Sequence, residues 1–192
     1  MYRVIGFLFL IVIGILGCRD SEKVITELEI AEKYYDALKT SDEALMRSLL
    51  MDSLLTKETE YDYEYTFSHE GYIEWLKWDA LFNPEYKILD MTEEDDLVKA
   101  RISKVDERIT FLHEAPIVTE HLIRFDKDKI SAVETTKYVV FDDSLFVSNR
   151  GKLLSWIDKF HPELDGFIFD QTEAGGRKYL KALELYKSAN EK

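Results

Sequence analysis

The sequence predicts an α+β fold: helices first, then a strongly curved antiparallel sheet, then a C-terminal helical extension. Three observations carry that expectation. Apolar residues recur at helical spacing up to about residue 50. Between residues 85 and 141 the period shortens to two, in short β-branched runs bounded by polar turns. Beyond residue 142 the helical period returns. Spacings of three and four mark one apolar face of a helix, whereas strict alternation marks a half-buried strand.

The elements follow in order. Val24, Leu28, Ala31, Tyr35 and Leu38 form one face of a first helix that ends near Thr40, and Ile30 and Tyr34 widen that face. Thr40 and Glu43 stand three apart, as in a capping box, and open a second short helix carrying Leu45, Leu49 and Leu50. The stretch "ETEYDYEYTF" alternates, with Tyr61, Tyr63, Tyr65 and Phe67 on one face and acids on the other, which predicts a strand. A third helix follows, with Ser68 as its cap and Glu74 and Lys77 as its only wet stripe. Five strands are expected next, over residues 85–91, 97–105, 108–114, 118–126 and 129–141, the last two joined by a hairpin turn at "FDKDKI". The length of the final strand implies curvature and bulges. The extension predicts helices over residues 149–160 and 172–187, with Pro162 stopping the first and Gly175 and Gly176 weakening the start of the second.

Composition narrows the function. The chain has 192 residues, enough for one domain with accessory helices. Its formal net charge of −13 repels a phosphate backbone, so nucleic acid is not an expected partner. One cysteine permits neither an internal disulfide nor a cysteine-based metal site. No histidine pair has metal-ligand spacing, and "TEEDD" (92–96) lacks the alternation and central glycine of a calcium loop. Neither a metal nor another cofactor is expected. No glycine-rich phosphate loop and no serine nucleophile motif is present.

The cysteine stands at a particular place. Arg3 precedes an apolar block from Val4 to Leu16, too short to span a bilayer but suited to the hydrophobic region of a secretory signal. Ile15-Leu16-Gly17-Cys18 then resembles the bacterial lipobox, with Leu16 larger than the residue usual at its position. That resemblance implies cleavage before Cys18, acylation of its sulfur and amine, and a membrane partner through the lipid. The expected organisation is a signal peptide (1–17), a tether (18–23), an α+β domain (24–141) and a C-terminal helical extension (142–192). The expected location is the bacterial cell envelope.

The stretch "AEKYYDALKTSDEALMRSLL" (31–50), with Tyr34-Tyr35, Ala37-Leu38, Asp42 and Leu45, resembles the nuclear transport factor 2-like superfamily, as does the order of elements up to residue 141. The tail, "SWIDKFHPELDGF" with a later "KYLKALELY", looks like an extension on Bacteroidota lipoproteins of this sort. The resemblance implies a sheet curled into a cone around the three N-terminal helices, with a pocket at its mouth. Family members use that pocket for catalysis, for ligand binding, or as an interaction scaffold. No catalytic set of the family's enzymes is matched here. Candidate proton-transfer groups are His113, His121 and Glu134 on expected strands, with Tyr34 or Tyr35 beside them. Candidate pocket walls are Tyr34, Tyr35, Tyr63, Trp75 and Trp78, which suit a small apolar molecule. The leading expectation is non-catalytic binding of such a ligand or of a protein partner. An isomerase-, dehydratase- or cyclase-type enzyme, and a homodimer formed through the sheet face, are the alternatives.

Overall fold

A computed structural model describes residues 25–190. The expected signal peptide, the tether and Cys18 lie outside the described residues. Helix α1 (Glu27–Thr40) starts from a capping box on Thr26: its hydroxyl accepts from the Glu29 N–H at 3.1 Å, and the Glu29 carboxylate accepts from the Thr26 N–H. Helix α2 (Glu43–Leu49) is capped by Asp42, whose carboxylate accepts from the Leu45 N–H at 2.9 Å. The box expected on Thr40 and Glu43 does not form. Thr40 is the last residue of α1, and its hydroxyl donates back to the Asp36 carbonyl.

Strand β1 (Leu50–Glu58) was not foreseen. Its fully buried residues, Leu50 and Leu54, are four apart, a spacing that one face of a strand shares with one face of a helix, and a register shift interrupts its pairing between Leu50 and Leu55. A single 3-10 turn over Thr59–Tyr61 then breaks the long strand expected there, leaving β2 (Tyr63–Ser68). Helix α3 (His69–Ala80) begins at the Ser68 cap. Strands β3 (Glu85–Glu94) and β4 (Leu97–Val105) form an antiparallel hairpin.

The segment expected as a third strand of this half is helix α4 (Glu107–Leu112). The carboxylate of Asp106 accepts from the Ile109 N–H at 2.8 Å and caps the turn. Ile109 and Leu112, three apart, point inward. Strands β5 (Ile117–Asp126) and β6 (Lys129–Val140) close the sheet, joined by a tight turn with Lys127 and Asp128 both at positive φ.

The sheet order is β2-β1-β6-β5-β4-β3. Every neighbouring pair is antiparallel except β1 and β6, which run parallel. Three register shifts between β5 and β6 bend the long strands. The result is a mixed α+β body in which the curved sheet folds over α1, α2 and α3. Ile30, Tyr34, Leu38, Met46, Ile73 and Leu76 from those helices pack against Leu54, Ile102, Ile123 and Ile130 from the strands.

A second core lies on the far side of α3. Helices α5 (Asp143–Phe160) and α6 (Glu173–Asn190) bring Leu153, Ile157, Tyr179 and Leu183 against Trp78 and Phe82, with Phe167 from the link between them. Helix α5 begins earlier than its apolar spacing suggests, because Asp142 caps it by accepting from the Leu145 N–H. The glycine pair has a steric role: a Cβ at Gly176 would stand 2.6 Å from Leu81 and 2.9 Å from Trp78. Among the described residues no helix is long and apolar enough to cross a membrane.

Candidate functional site

The curved sheet leaves a cavity of about 330 Å³ between α1, α3 and the strand ends. Tyr34, Tyr35 and Leu38 line it from α1, Tyr72 and Trp75 from α3, and Ile102 and Lys104 from β4. Thr119 and His121 on β5 and Val133 and Thr135 on β6 complete the wall, each pair two residues apart as strand geometry requires. Lys57, Glu58, Tyr63 and Tyr138 border it, and Gln171 reaches it from the C-terminal extension. The wall is mostly aromatic. Tyr72 stacks on Trp75 at 5.0 Å, and Phe67 meets Tyr72 edge-on at 5.4 Å.

Two buried hydroxyl networks face this space. The Tyr34 and Tyr72 hydroxyls are 2.5 Å apart. The Tyr35 hydroxyl is 2.7 Å from His121 Nδ1, and His121 Nε2 is 2.8 Å from the Thr119 hydroxyl. Burial, helped by the positive charge of Lys104, pushes the His121 imidazole down to about 4, so it is neutral near pH 7. Burial also pushes the hydroxyls of Tyr34, Tyr35, Tyr72 and Tyr86 above the usual tyrosine range, which keeps them protonated.

A buried charge cluster stands behind Lys104 and Tyr86 of the wall. Asp79 Oδ1 accepts from Lys104 Nζ at 2.7 Å and from Arg108 Nη2 at 2.6 Å, and Oδ2 accepts from the Tyr86 hydroxyl at 2.8 Å. Arg108 also donates to Asp106. Its guanidinium lies 4.2 Å from the Trp78 ring and 4.1 Å from the Phe82 ring. Burial works to raise the Asp79 carboxyl, but Lys104 and Arg108 outweigh it and hold the group ionised, below its ordinary value.

Each candidate named from the sequence has a definite place. His121, Tyr34, Tyr35, Tyr63 and Trp75 line the cavity. His113 does not. With residues 107–112 helical, it stands at the C-terminal end of α4, where Nδ1 donates to the Ala115 carbonyl and Nε2 accepts from the Asp142 N–H, both at 2.7 Å. It joins α4 to the start of α5. Glu134 lies between the two lining residues of β6, and its carboxylate accepts from the Thr59 hydroxyl and pairs with Lys57. Trp78 belongs to the second core.

Sequence reasoning missed Tyr72, Asp79, Tyr86 and Lys104. Lys104 had a signal: it continues the alternating row Val98, Ala100, Ile102 of β4. So did Asp79, which follows Tyr72 and Leu76 down the apolar face of α3.

Solved structures similar to this one include NTF2-like and cystatin-like proteins. A protein from Kribbella flavida aligns with a TM-score of 0.50 and 9% identity, over 65% of this chain and 93% of that one. An NTF2-like protein of unknown function from Cytophaga hutchinsonii gives 0.48 and 15%, over 64% and 96%. IdmH from Streptomyces antibioticus, a candidate polyketide cyclase, gives 0.49 and 15%, over 66% and 99%. At 9% identity the likeness to the Kribbella protein is one of fold alone. No protein-family model matches the chain, and no curated protein matches it.

Proposed function

We propose that this chain is a lipid-anchored protein of the bacterial cell envelope, whose NTF2-like cone binds a small apolar ligand without catalysing a reaction on it. The observation that carries the binding half is the state of the cavity. It is hollow and aromatic-walled, and at about 330 Å³ it stands at the small end of ligand-binding cavities. A purely structural cone would be packed with side chains. Both ring nitrogens of His121 are already hydrogen-bonded, and the Asp79 carboxylate is taken up by Lys104, Arg108 and Tyr86. An imidazole near 4 is a weak base at neutral pH. The anchoring half rests on the lipobox-like stretch ending at Cys18.

One observation favours a second reading, a proton-transfer enzyme: Tyr35 and His121 are in contact inside the cavity. A titration separates the two. The neutral probe 2-acetylnaphthalene should bind with micromolar affinity and quench the fluorescence of Trp75 in the wall. Thr135→Phe, which fills the cavity, should remove that binding. Unaltered binding in the filled variant would overturn the pocket, and turnover of a ketone probe lost in His121→Gln would favour the enzyme. For the anchor, a palmitate analogue fed to expressing cells should label the wild type and not Cys18→Ser. Equal labelling would overturn it.

A further inference from the structure

Two hydroxyl networks and one ammonium at the cavity each leave a hydrogen without a partner among the described residues. Tyr34 and Tyr72 bring two hydroxyl hydrogens to a single bond, which leaves one O–H without an acceptor among the described residues. Tyr35, His121 and Thr119 share three hydrogens between two bonds, in either imidazole tautomer, and leave a second hydroxyl hydrogen over. The Lys104 ammonium has three N–H groups, and Asp79 Oδ1 takes one at 2.7 Å. Asp106 Oδ2, at 3.8 Å, lies beyond hydrogen-bond reach. The other near neighbours of Nζ are the ring faces of Tyr86 at 4.8 Å and Trp75 at 5.8 Å.

The buried carboxylate beside Lys104 is engaged, and the acceptors still open at the cavity, Glu58 Oε1 and the Gln171 amide oxygen, lie toward its rim and the C-terminal extension. Asp79 receives three donors, and Glu58, the carboxylate in the cavity lining, accepts from the Tyr138 hydroxyl at 2.9 Å. Buried donors left unpaired are costly, so an occupant that brings only donors, or no polar atom, is penalised. Charge points the same way. The ionised residues lining the space are Lys57, Lys104 and Glu58; Lys57 has Glu134 as its partner, and Asp79, the partner of Lys104, is not itself in the lining, so the charge that Lys104 presents to the cavity is positive. The field of Lys104 reaches across to His121, where it acts with burial against a second positive charge.

We propose that the ligand is a small organic acid, a carboxylate on an apolar body of about bicyclic size, whose oxygens accept from Lys104 and from the Tyr34–Tyr72 hydroxyl pair. The apolar body lies against Trp75, Phe67 and Leu38 on the aromatic side of the cavity. This rests on the reading that the cavity binds a ligand at all. It adds the sign of the charge and the hydrogen-bonding sense of the polar end.

The test uses the full chain and three probes that share one naphthalene body: 2-naphthoate, 2-acetylnaphthalene and 2-naphthylmethylammonium. Calorimetric titration at pH 7.5 should rank the carboxylate at least about tenfold tighter than the ketone, the scale of one charge-assisted hydrogen bond. The ammonium should show no binding. Tyr34→Phe should weaken the carboxylate about fivefold or more. Lys104→Met should abolish the preference for carboxylate over ketone. Because that variant strands Asp79, Lys104→Arg is run beside it and should keep the preference. Equal affinity for all three probes, or tighter binding of the ammonium, would overturn the inference and leave the apolar pocket standing. Binding of none of them would overturn the pocket as well.

Discussion

Asp79 is a buried carboxylate that three donors hold in place, and its two cationic partners are themselves largely withdrawn from water. Such a cluster contributes little net stability over an apolar replacement, yet removing one member strands the rest. Asp79→Ala should therefore cost about 3–5 kcal/mol in urea denaturation, whereas Asp79→Leu combined with Arg108→Met should recover much of the loss. His121 sets a different limit. Its folded value of about 4 lies below its ordinary 6.5, so between those values the unfolded chain binds the extra proton and the folded chain does not. Stability is thus complete above pH 6.5 and falls as pH drops toward 4, by up to about 3 kcal/mol from this group. Chemical denaturation at pH 7 and pH 4.5 should show that fall in the wild type and a much flatter profile in His121→Gln. Asp79 does not confuse the measurement. Its carboxyl is held below 3.8, so its own contribution is lost only at lower pH.

At the scale of elements, α6 turns on its two glycines. A Cβ at Gly175 would stand 2.0 Å from the Asp170 carbonyl oxygen, a backbone atom that cannot swing aside. Alanine is the better helix former by up to about 1 kcal/mol, so propensity alone would make Gly175→Ala stabilising. The clash reverses that sign: the variant should lower stability by about 1–3 kcal/mol, read from its melting temperature. The pair also shows where the sequence stops being informative. Two glycines at a helix start read as weakness until the approach of Asp170, Leu81 and Trp78 is known. The same limit hid β1 and α4. Leu50 and Leu54 keep a helical spacing inside a bulged strand, and the six residues of α4 are too few for their period to outweigh β-branched composition. Where an element is long and regular the pattern sufficed. Strand β4 spans the same residues by spacing and by structure, and α1 and α3 bury the faces their apolar residues mark. In the site, alternation on β5 turned His121 inward with Ile123, and alternation on β4 does the same for Lys104. The pairing of Tyr34 with Tyr72 was not legible, because the two are 38 residues apart and meet only through tertiary packing.

In the whole molecule, the two cores share one helix. Tyr72 and Leu76 of α3 face the cavity side, Trp78 faces α5 and α6, and Trp75 packs against both cores. The C-terminal extension is therefore structural cover for the α+β body. It also reaches the cavity, because Phe167 is anchored in the second core and Gln171 lies a few residues on, at the cavity wall. Arg108 ties the halves together: its partner Asp79 holds Lys104 and Tyr86 of the cavity wall, and its guanidinium packs on Trp78 and Phe82 of the second core. A chain ending at Phe141 would keep every strand of the sheet but uncover Trp78 and Phe82, which are 6% and 0% exposed in the whole chain. Exposing large apolar side chains costs about 1.5–3 kcal/mol each, and the stacked guanidinium would lose its shield from water. The shortened chain should lose more than about 3 kcal/mol of stability, or fail to stay in solution, and Gln171 would be missing from the cavity wall. Ending the chain at Tyr186 instead keeps Tyr179, Ala182 and Leu183 in the second core and should leave both the melting temperature and probe binding close to wild type. Equal stability of the two shortened chains would show that the cone stands alone and that the extension is an appendage.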